Sequence, residues 1–271
     1  MDLFHAIVLG IVQGLGEPLP ISSSGQLILV PWLLGWPEHS LEFDVALHGG
    51  TAVAFIIYFW NDWVRLIGAF FSGLFQRDFS RDYYRRLSLY ILVASIPGAV
   101  FGVLLESTVE NALRVPWLVA LLLMAMGIVM LVSDRISSRQ RSVSQLNIWD
   151  AVLIGVSQAF ALIPGVSRSG ITITTGLLRG LNRADSARFS FLLSGPIVTG
   201  AFLYNMLKMM KGGFPANEAM PFVVGILVAA VVGYFAIRFL LGYLQKQSLN
   251  LFVGYRLVFG ALVLVLFFVR G

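Results

Sequence analysis

The chain has 271 residues, of which 58% are hydrophobic and only 12% carry a formal charge. Soluble globular domains usually contain about 25% charged residues, so this composition excludes an ordinary soluble protein and indicates a membrane protein. The chain has no cysteine, which excludes disulfides, thiolate metal sites and thiol catalysis. The net charge of +5 comes from basic residues spread over several short segments, which membrane topology explains without a nucleic-acid partner.

Six apolar stretches have, or approach, the length of a membrane-spanning helix, which needs about 20 residues. In chain order they are Val45–Trp60, Leu87–Leu105, Val115–Val132, Phe189–Leu207, Pro221–Ile237 and Leu249–Val269. The last stretch includes Arg256. We expect this charge to face the protein interior or a water-filled cavity, because a charge in contact with lipid is costly.

Two further apolar regions are interrupted by charged residues and prolines. Leu3–Trp36 is broken by Glu17 and two prolines, and Ala151–Leu178 is broken by Pro164 and Arg168. Each region is typical of two short helices joined by a polar elbow, which predicts a re-entrant helical hairpin. Irregular backbone at membrane depth is tolerated only where protein or water surrounds it, so we expect both elbows to lie inside the molecule.

The distribution of basic residues predicts the orientation. Thirteen of the 19 Lys and Arg lie in four segments, 61–86, 134–147, 179–188 and 238–246. The segments Gly35–Asp44 and Glu106–Arg114 are acidic and together hold one basic residue. The positive-inside rule therefore places the first four segments in the cytoplasm and the last two outside. The first hairpin then enters from the outside, the second enters from the cytoplasm, and both chain ends lie near the outer face.

The two elbows belong to an internal repeat with a shift of 145 residues. Five residues recur in one register, all close to the elbows: Gly10, Gln13, Ser22, Ser24 and Gly25 match Gly155, Gln158, Ser167, Ser169 and Gly170. Chance similarity between Gly- and Ser-rich helices is the alternative. Three spans follow each hairpin, and an odd number of spans inverts the second copy relative to the first.

We therefore predict an all-α polytopic membrane protein, with six transmembrane helices and two re-entrant helical hairpins in an inverted-topology repeat. Residues 1–133 form the first repeat, residues 134–147 a cytoplasmic linker and residues 148–271 the second repeat. Inverted repeats often place a binding site at their interface, near the membrane midplane.

Polar residues crowd both elbows. Gln13 and Glu17 are four residues apart, so on a helix they share a face. Glu17 and Arg168 are both costly in an apolar setting, and they could form a buried ion pair that joins the repeats. Such a pair alone does not explain the hydroxyl groups around both charges, which belong to Ser22, Ser23, Ser24, Ser167, Ser169 and Thr172.

These residue types suit a phosphate group. A guanidinium donates two parallel hydrogen bonds to a phosphate, and glycines let backbone N–H groups approach an anion at the start of a helix. A carboxylate beside a phosphate can hold a divalent cation or act as a base. The set predicts phosphoryl transfer, with phosphate bound by Ser22, Ser24, Gly165, Ser167, Ser169, Gly170 and Thr172.

The three histidines are weaker candidates. His5 and His39 fall near predicted membrane interfaces, and we expect both to be solvated. His48 starts a span after the acidic outer segment, and its repeat partner is Ser194, so the shared fold does not need an imidazole there. A packed or interfacial role is the simpler prediction for His48, and a role as general base is the alternative.

At these residues the sequence resembles the undecaprenyl-diphosphate phosphatase family, also called the bacitracin-resistance protein family. The family has a Glu-or-Gln-x-x-x-Glu motif, a Pro-x-Ser-Ser-x-Gly stretch and a Pro-Gly-x-Ser-Arg-Ser-x-x-Thr motif. They are present here as Gln13–Glu17, Pro20–Gly25 and Pro164–Thr172. The last motif is long and specific, and the resemblance covers essentially the whole chain.

The resemblance implies an enzyme that hydrolyses undecaprenyl diphosphate, a polyprenyl diphosphate lipid, to the monophosphate, which recycles the lipid carrier. It implies a divalent cation, Mg²⁺ or Ca²⁺, and a site facing the outer side of the plasma membrane. By motif position Glu17 is the essential acid, Ser23 the candidate nucleophile and Arg168 the phosphate clamp, with Glu17 and Gln13 as metal ligands. We expect the lipid and the membrane as partners, no nucleic acid, and a candidate homodimer.

The sequence departs from the family pattern at two positions. Gln13 removes one possible metal carboxylate, and Gln26 stands where the family usually has a histidine. Glutamine cannot act as a general base. We favour Glu17 as the base for Ser23 over His48, with direct attack by a metal-bound water as the alternative. A flippase that moves polyprenyl phosphate across the membrane is the competing function.

Overall fold

The computed structural model describes residues 2–212 and 219–270, and all of its regular elements in this part of the chain are helices. The side chains of residues 105–112 and 208–212 lie outside the described part, and the first group includes the acids of the predicted outer segment Glu106–Arg114. The α-helices are α1 (Leu3–Gly16), α2 (Ser23–Leu34), α3 (Leu41–Tyr58), α4 (Trp60–Gln76), α5 (Tyr83–Ala112), α6 (Pro116–Ile136), α7 (Ile148–Ala159), α8 (Arg168–Leu178), α9 (Arg183–Gly212), α10 (Ala219–Tyr243) and α11 (Asn250–Arg270).

Six of these helices are long and apolar enough to cross a membrane: α3, α5, α6, α9, α10 and α11. Each contains most of one predicted stretch, so the prediction of six spans in an all-α multi-pass membrane protein is confirmed. Several helices extend beyond the apolar run, since α5 begins at Tyr83 and α10 continues to Tyr243. Hydropathy alone does not show these polar extensions, because helical hydrogen bonding does not stop where the apolar residues stop.

Helix α4 is an element that the sequence analysis missed. It occupies much of the basic segment 61–86, which we treated only as a cytoplasmic connection. Its apolar side chains Val64, Ile67 and Phe71 recur at helical spacing and are exposed, which is typical of a helix that lies against lipid at the membrane interface. The helix has 17 residues and includes Asp62 and Arg65, so it is too short and too polar to look like a span.

Local capping explains the two pairs of short helices. The Asp2 side chain accepts a hydrogen bond from the His5 backbone N–H at the start of α1, and Pro18 lies two residues beyond its end. Helix α2 ends at Leu34, and the next residue is Gly35, whose φ of 67° is left-handed, as usual for a glycine after a helix. Asn147 and Asp150 form a capping box at the start of α7.

The packing of the helices brings the two short pairs together at the centre. Helix α1 packs on α10 and α7 packs on α5, so the first arm of each pair contacts a span of the other half of the chain. Helices α3 and α9 contact each other, as do α6 and α11. The largest buried apolar cluster includes Ile21 and Val166, one from each connection between the short helices. The two connections are therefore buried next to each other.

Candidate active site

The two elbows have the same local structure. Ser22 and Ser167 both have positive φ, 71° and 76°, which is uncommon for a residue with a side chain. Each serine begins a helix, and its Oγ accepts a hydrogen bond from the backbone N–H three residues later, of Gly25 and Gly170 respectively. Ser22 Oγ also accepts from the backbone N–H of Gly165 at 3.1 Å, so the elbows are bonded directly to each other.

Arg256 links the two elbows through hydrogen bonds to their backbone carbonyls. Its side chain is fully buried, and the guanidinium donates to four backbone carbonyls, those of Pro20, Leu123, Gly165 and Val166, over 2.6–3.3 Å. The expectation that this charge faces the protein interior is confirmed. Because carbonyls of both elbows converge on one guanidinium, the relative position of the two elbows depends on it.

Glu17 is the centre of the polar cluster. Arg168 Nη2 donates to Glu17 Oε1 at 2.5 Å, which is an ion pair between the two elbows. The other carboxylate oxygen, Oε2, accepts from Ser23 Oγ and from Gln13 Nε2, the latter at 3.1 Å. Glu17 is 5% exposed, and three donors satisfy its charge in place of water. Ser23 therefore has a hydrogen-bonded carboxylate ready to receive its proton.

His48 also faces this carboxylate. Its Nδ1 is 2.7 Å from the Asp44 carbonyl oxygen, and only a protonated Nδ1 can donate to that acceptor. The other nitrogen, Nε2, lies 3.5 Å from Glu17 Oε2. In the neutral ring that Nε2 is an acceptor, and in the charged ring it donates towards Glu17. The structure thus places His48 at the site rather than at a distance from it.

A cavity of about 250 Å³ opens beside the cluster. The polar part of its wall is formed by Glu17, Ser23, Ser24, His48, Gln158, Ser167, Arg168 and Asn205. The remainder is apolar and comes largely from α9, with Ile197, Val198 and Phe202. The cavity therefore presents charge and hydroxyl groups at one end and hydrocarbon along its side.

Other residues predicted to bind phosphate do not line this cavity and have partners within the fold. Ser169 donates to the Leu19 carbonyl, and Thr172 donates to the Arg168 carbonyl at 2.7 Å. A Cβ on Gly165 would lie 2.6 Å from the Val119 carbonyl oxygen, and φ there is +97°. A Cβ on Gly170 would lie 2.9 Å from Arg256 Nη2. Close packing explains why only glycine fits at these two positions.

Gln26 holds the first elbow to α11. Its Nε2 donates to the Ile21 carbonyl at 3.2 Å, and its Oε1 accepts from the Tyr255 hydroxyl at 3.0 Å.

The prediction that His39 is solvated is wrong. Its side chain is only 7% exposed, and Nε2 lies 2.6 Å from Asp44 Oδ1. Asp44 also pairs with Arg114 at 3.1 Å, and this small network removes His39 from solvent.

A family model described as bacitracin resistance protein BacA matches residues 6–262. The chain belongs to this family. Relatives named undecaprenyl-diphosphatase share 49% of residues in Moorella thermoacetica and in Desulforudis audaxviator, over the full length of both chains in each case. A relative of the same name in Geobacter sulfurreducens is 46% identical, again over the full length.

In this BacA family member, the acceptor atoms at the elbow fit a divalent cation in part. Gln13 Oε1 is buried beside Glu17 and, among the residues described, has no hydrogen-bond partner. Among the side chains that the structure describes, which exclude those of residues 105–112 and 208–218, no group of three or more His, Asp or Glu could hold a metal. Mg²⁺ commonly takes one or two protein ligands together with phosphate oxygens of the substrate, and Glu17 with Gln13 matches that pattern.

Two features of this BacA family site were not predicted from the sequence. One is Gln158, which lines the cavity, whereas the sequence indicates it only as the residue 145 positions after Gln13. The other is an apolar groove of about 410 Å³ between α5 and α9, lined by Val103, Ile197 and Tyr204 among others. Five residues line both the groove and the cavity, so the two spaces adjoin: Gly98, Leu162, Ile197, Ala201 and Asn205.

Proposed function

We propose that this chain hydrolyses undecaprenyl diphosphate to undecaprenyl monophosphate and inorganic phosphate, recycling the lipid carrier. The observation that supports it is the convergence of Arg168, Glu17 and Ser23 at the wall of a cavity. Arg168 supplies a positive charge for the phosphate, Ser23 a nucleophile and Glu17 a proton acceptor. The full-length relatives named undecaprenyl-diphosphatase support the same conclusion.

The apolar groove between α5 and α9 suits the lipid part of this substrate. It adjoins the polar cavity, so a diphosphate near Arg168 would place its prenyl chain along the groove. The groove has room for the first isoprene units, and the rest of the chain lies among the lipids of the membrane. A polar headgroup and a hydrocarbon tail thus each meet a matching surface.

Ser23 is the proposed nucleophile. Its Oγ attacks the terminal phosphorus while its proton passes to Glu17 Oε2, with which it already shares a hydrogen bond. The bond from phosphorus to the bridging oxygen breaks, and the polyprenyl monophosphate leaves. Water then hydrolyses the phosphoserine, which restores Ser23 and releases inorganic phosphate. One water is consumed in total.

Arg168 binds the phosphate with one arm of its fork. Nη2 is engaged by Glu17, whereas Nη1 is buried and has no partner among the described residues. Nη1 is therefore free to donate to a non-bridging phosphate oxygen. Ser24 and Ser167, which line the cavity, supply further donors.

A divalent cation, Mg²⁺ or Ca²⁺, belongs to the proposal. Glu17 and Gln13 would hold it, and it would neutralise charge on the phosphate oxygens. Direct attack by water, with Ser23 as a binding residue, is the alternative chemistry. Replacing Ser23 by alanine separates them, because a nucleophile is indispensable whereas the loss of one binding hydroxyl costs about tenfold.

The inverted repeat and the two re-entrant hairpins are proposed as the architecture, with repeats at residues 1–133 and 148–271 joined by the linker 134–147. Three observations support them. The elbow serines share an uncommon backbone conformation at a shift of 145 residues. Helices α1 and α7 are too short to span a membrane as single helices. Each also packs on a span of the other half.

We further propose that the cavity faces the outer side of the plasma membrane. One end of the bundle holds the arginines Arg141, Arg179 and Arg183, paired with Asp150 and Asp134. This end matches the cytoplasmic side by the positive-inside rule. Asp44 and Arg114 lie beside a small cavity that shares His48 and Ser24 with the site, and they belong to the acidic segments assigned to the outside.

The experiment is phosphate release from undecaprenyl diphosphate by detergent-solubilised protein, with Ser23→Ala as the comparison. We expect release by the parent chain, no measurable release by the variant, and loss of parent activity on chelation of divalent cations. A flippase releases no phosphate. A parent chain that releases no phosphate but moves polyprenyl phosphate across liposome membranes would therefore favour the competing function.

A homodimer is a separate proposal. The groups used above all belong to one chain, so the proposed activity does not depend on it. Light scattering of the solubilised protein tests the dimer, which has twice the monomer mass of 29.8 kDa after subtraction of detergent.

A further inference from the structure

Gln158 on α7 is a buried amide without a partner. Its side chain is 4% exposed, and neither Oε1 nor Nε2 makes a hydrogen bond to any residue that the structure describes. Leaving both ends of a buried amide unpaired costs free energy, and such groups are rare in folded proteins. Gln158 lines the same cavity as Glu17, Ser23 and Arg168. A ligand in that cavity is therefore the natural partner for the amide.

The other unpaired donor of the cavity indicates which ligand fits. Arg168 Nη1 is also buried without a partner in the described part of the chain. Glu17 accepts from Arg168 Nη2, Ser23 and Gln13, and neither of the two unpaired donors makes a hydrogen bond to it. Gln158 and Arg168 both line this cavity, and each carries a buried donor without a partner among the described residues. A ligand with several acceptor oxygens could satisfy both donors, and a diphosphate group has them.

The position of Gln158 distinguishes the two phosphates. A Cβ on Gly98 would lie 2.5 Å from Gln158 Nε2, so the amide rests directly against that glycine. Gly98 lines both the polar cavity and the apolar groove, whereas Glu17 and Ser23 line the cavity and not the groove. The amide thus lies where the two spaces meet. A prenyl chain in the groove would bring its ester-linked phosphate to this point.

We propose that Gln158 is a substrate-binding residue whose Nε2 donates to the ester-linked phosphate, the one that remains on the lipid after hydrolysis. This inference rests on the proposed function. The terminal phosphate is bound by Arg168 and attacked at Ser23, so the two phosphates have different partners. It follows that Gln158 contributes to the affinity for the diphosphate lipid and for the monophosphate lipid, but not to the affinity for inorganic phosphate.

The test compares two inhibitors of undecaprenyl diphosphate hydrolysis in detergent, undecaprenyl monophosphate and inorganic phosphate. In Gln158→Met, which keeps the length of the side chain and removes the donor, we expect the KM and the inhibition constant of the monophosphate lipid to rise about tenfold. The inhibition constant of inorganic phosphate and kcat should stay within about threefold. A purely structural role would shift both inhibitors together.

The matched control is Ser157→Ala, at the neighbouring position on α7. The Ser157 hydroxyl donates to the Ile154 carbonyl of its own helix and does not line the cavity, so both inhibition constants should remain at parent values. Gln158→Glu keeps the size of the side chain and puts an acid in place of the donor. This variant should raise the inhibition constant of the monophosphate lipid at least as much as Gln158→Met. It also provides the test if Gln158→Met does not fold.

An unchanged inhibition constant for the monophosphate lipid in either Gln158 variant, or an equal shift for both inhibitors, overturns the inference. Failure of the inference is separate from failure of the proposed function. A parent chain that releases no phosphate refutes the function. A parent chain that releases phosphate, with unaltered inhibition in the Gln158 variants, refutes only the role of this amide.

Discussion

Glu17 and Arg168 are 151 residues apart in the chain, and their side chains form an ion pair of 2.5 Å in which both partners are largely buried. Neither charge has an equivalent at the repeat-related position. The first elbow therefore supplies the carboxylate and the proposed nucleophile, Ser23, and the second supplies the guanidinium. A site of this kind is complete only when both halves of the chain are folded against each other.

The first prediction concerns the guanidinium. Arg168→Lys retains a positive charge but loses the planar fork, which here bonds Glu17 with one arm and leaves the other for phosphate. We expect turnover to fall at least about tenfold, or roughly 1.4 kcal/mol of transition-state stabilisation. Steady-state phosphate release measures it. Arg179→Lys, at the far end of α8, is the matched control and should stay within about twofold; near-parental turnover in both variants would make the Arg168 fork dispensable.

The second prediction separates Glu17 from His48 as the base. Ser23 Oγ is hydrogen-bonded to Glu17, whereas His48 Nε2 is 3.5 Å from the same carboxylate. If Glu17 takes the proton, His48→Ala keeps phosphate release within a few-fold of the parent across the pH range. A decrease of about 100-fold or more in a folded variant is the usual effect of losing a general base and would move the role to His48.

A third prediction concerns the glutamine at the position where the family usually has a histidine. Gln26 is bonded at both ends of its amide, to Ile21 and to Tyr255, and it does not line the cavity. Gln26→His should therefore give no gain in rate, and the loss of the two amide bonds should lower thermal stability slightly. A rise in kcat of tenfold or more in that variant would show that a base is missing from the present site.

The fourth prediction concerns Arg256. Arg256→Met removes the donor that satisfies four carbonyls, two of which belong to Gly165 and Val166 in the second elbow. We expect stability to fall by at least about 2 kcal/mol, because buried acceptors are left unpaired. Activity should fall with it, and thermal unfolding in detergent measures the stability change. Arg270→Met is the control: Arg270 also bonds two carbonyls, but at an exposed helix end, so its loss should cost under about 0.5 kcal/mol.

The fifth prediction is a pH dependence of stability at the arginine-rich end. Burial raises the pKa of Asp150, but hydrogen bonds from Arg141 and Arg179 outweigh burial, and the pKa is lowered from its ordinary value. A carboxyl with a lowered folded pKa stabilises the fold above its unfolded pKa and loses that contribution as the pH falls through the folded value. Asp150→Asn should therefore have a lower melting temperature than the parent at neutral pH. The gap between the two melting temperatures should narrow below about pH 4.

The control for the pH series is Asp82→Asn. Asp82 pairs with Arg85 at 3.2 Å, but its side chain is half exposed, and exposed pairs contribute little to stability. Its melting temperature should follow that of the parent at every pH. A gap for Asp150→Asn that stays constant down to pH 3 would mean that its ion pairs do not stabilise the fold.

The sequence allowed the six spans, the two interrupted regions and the proximity of Glu17 to Arg168 to be predicted, because each rests on a strong local signal or on the cost of an unpaired charge in an apolar setting. Helix α4 was missed because an amphipathic helix of 17 residues at a membrane surface resembles a charged connection. The environment of His39 was wrongly predicted because its contact with Asp44 is formed only in the folded chain.

The distribution of hydroxyl roles could not be predicted either. Ser22 and Ser23 are adjacent in the first elbow and have identical side chains. Ser22 Oγ nevertheless accepts from two backbone N–H groups, whereas Ser23 Oγ donates to Glu17. The two serines also differ in backbone conformation, since Ser22 has a positive φ of 71° and Ser23 is the first residue of α2. No local sequence rule assigns positive φ to a serine, and only its packing against the second elbow supports that conformation.

The distance along the chain between Glu17 and Arg168 has a consequence for biosynthesis. At about 5–20 residues per second, the ribosome adds the 151 intervening residues in roughly 8–30 s. For that interval Glu17 has no guanidinium to neutralise it, and a buried unpaired carboxylate is too costly to persist in hydrocarbon. Until α8 has been made, Glu17 on the first pair of short helices, α1 and α2, must therefore either remain hydrated or take up a proton.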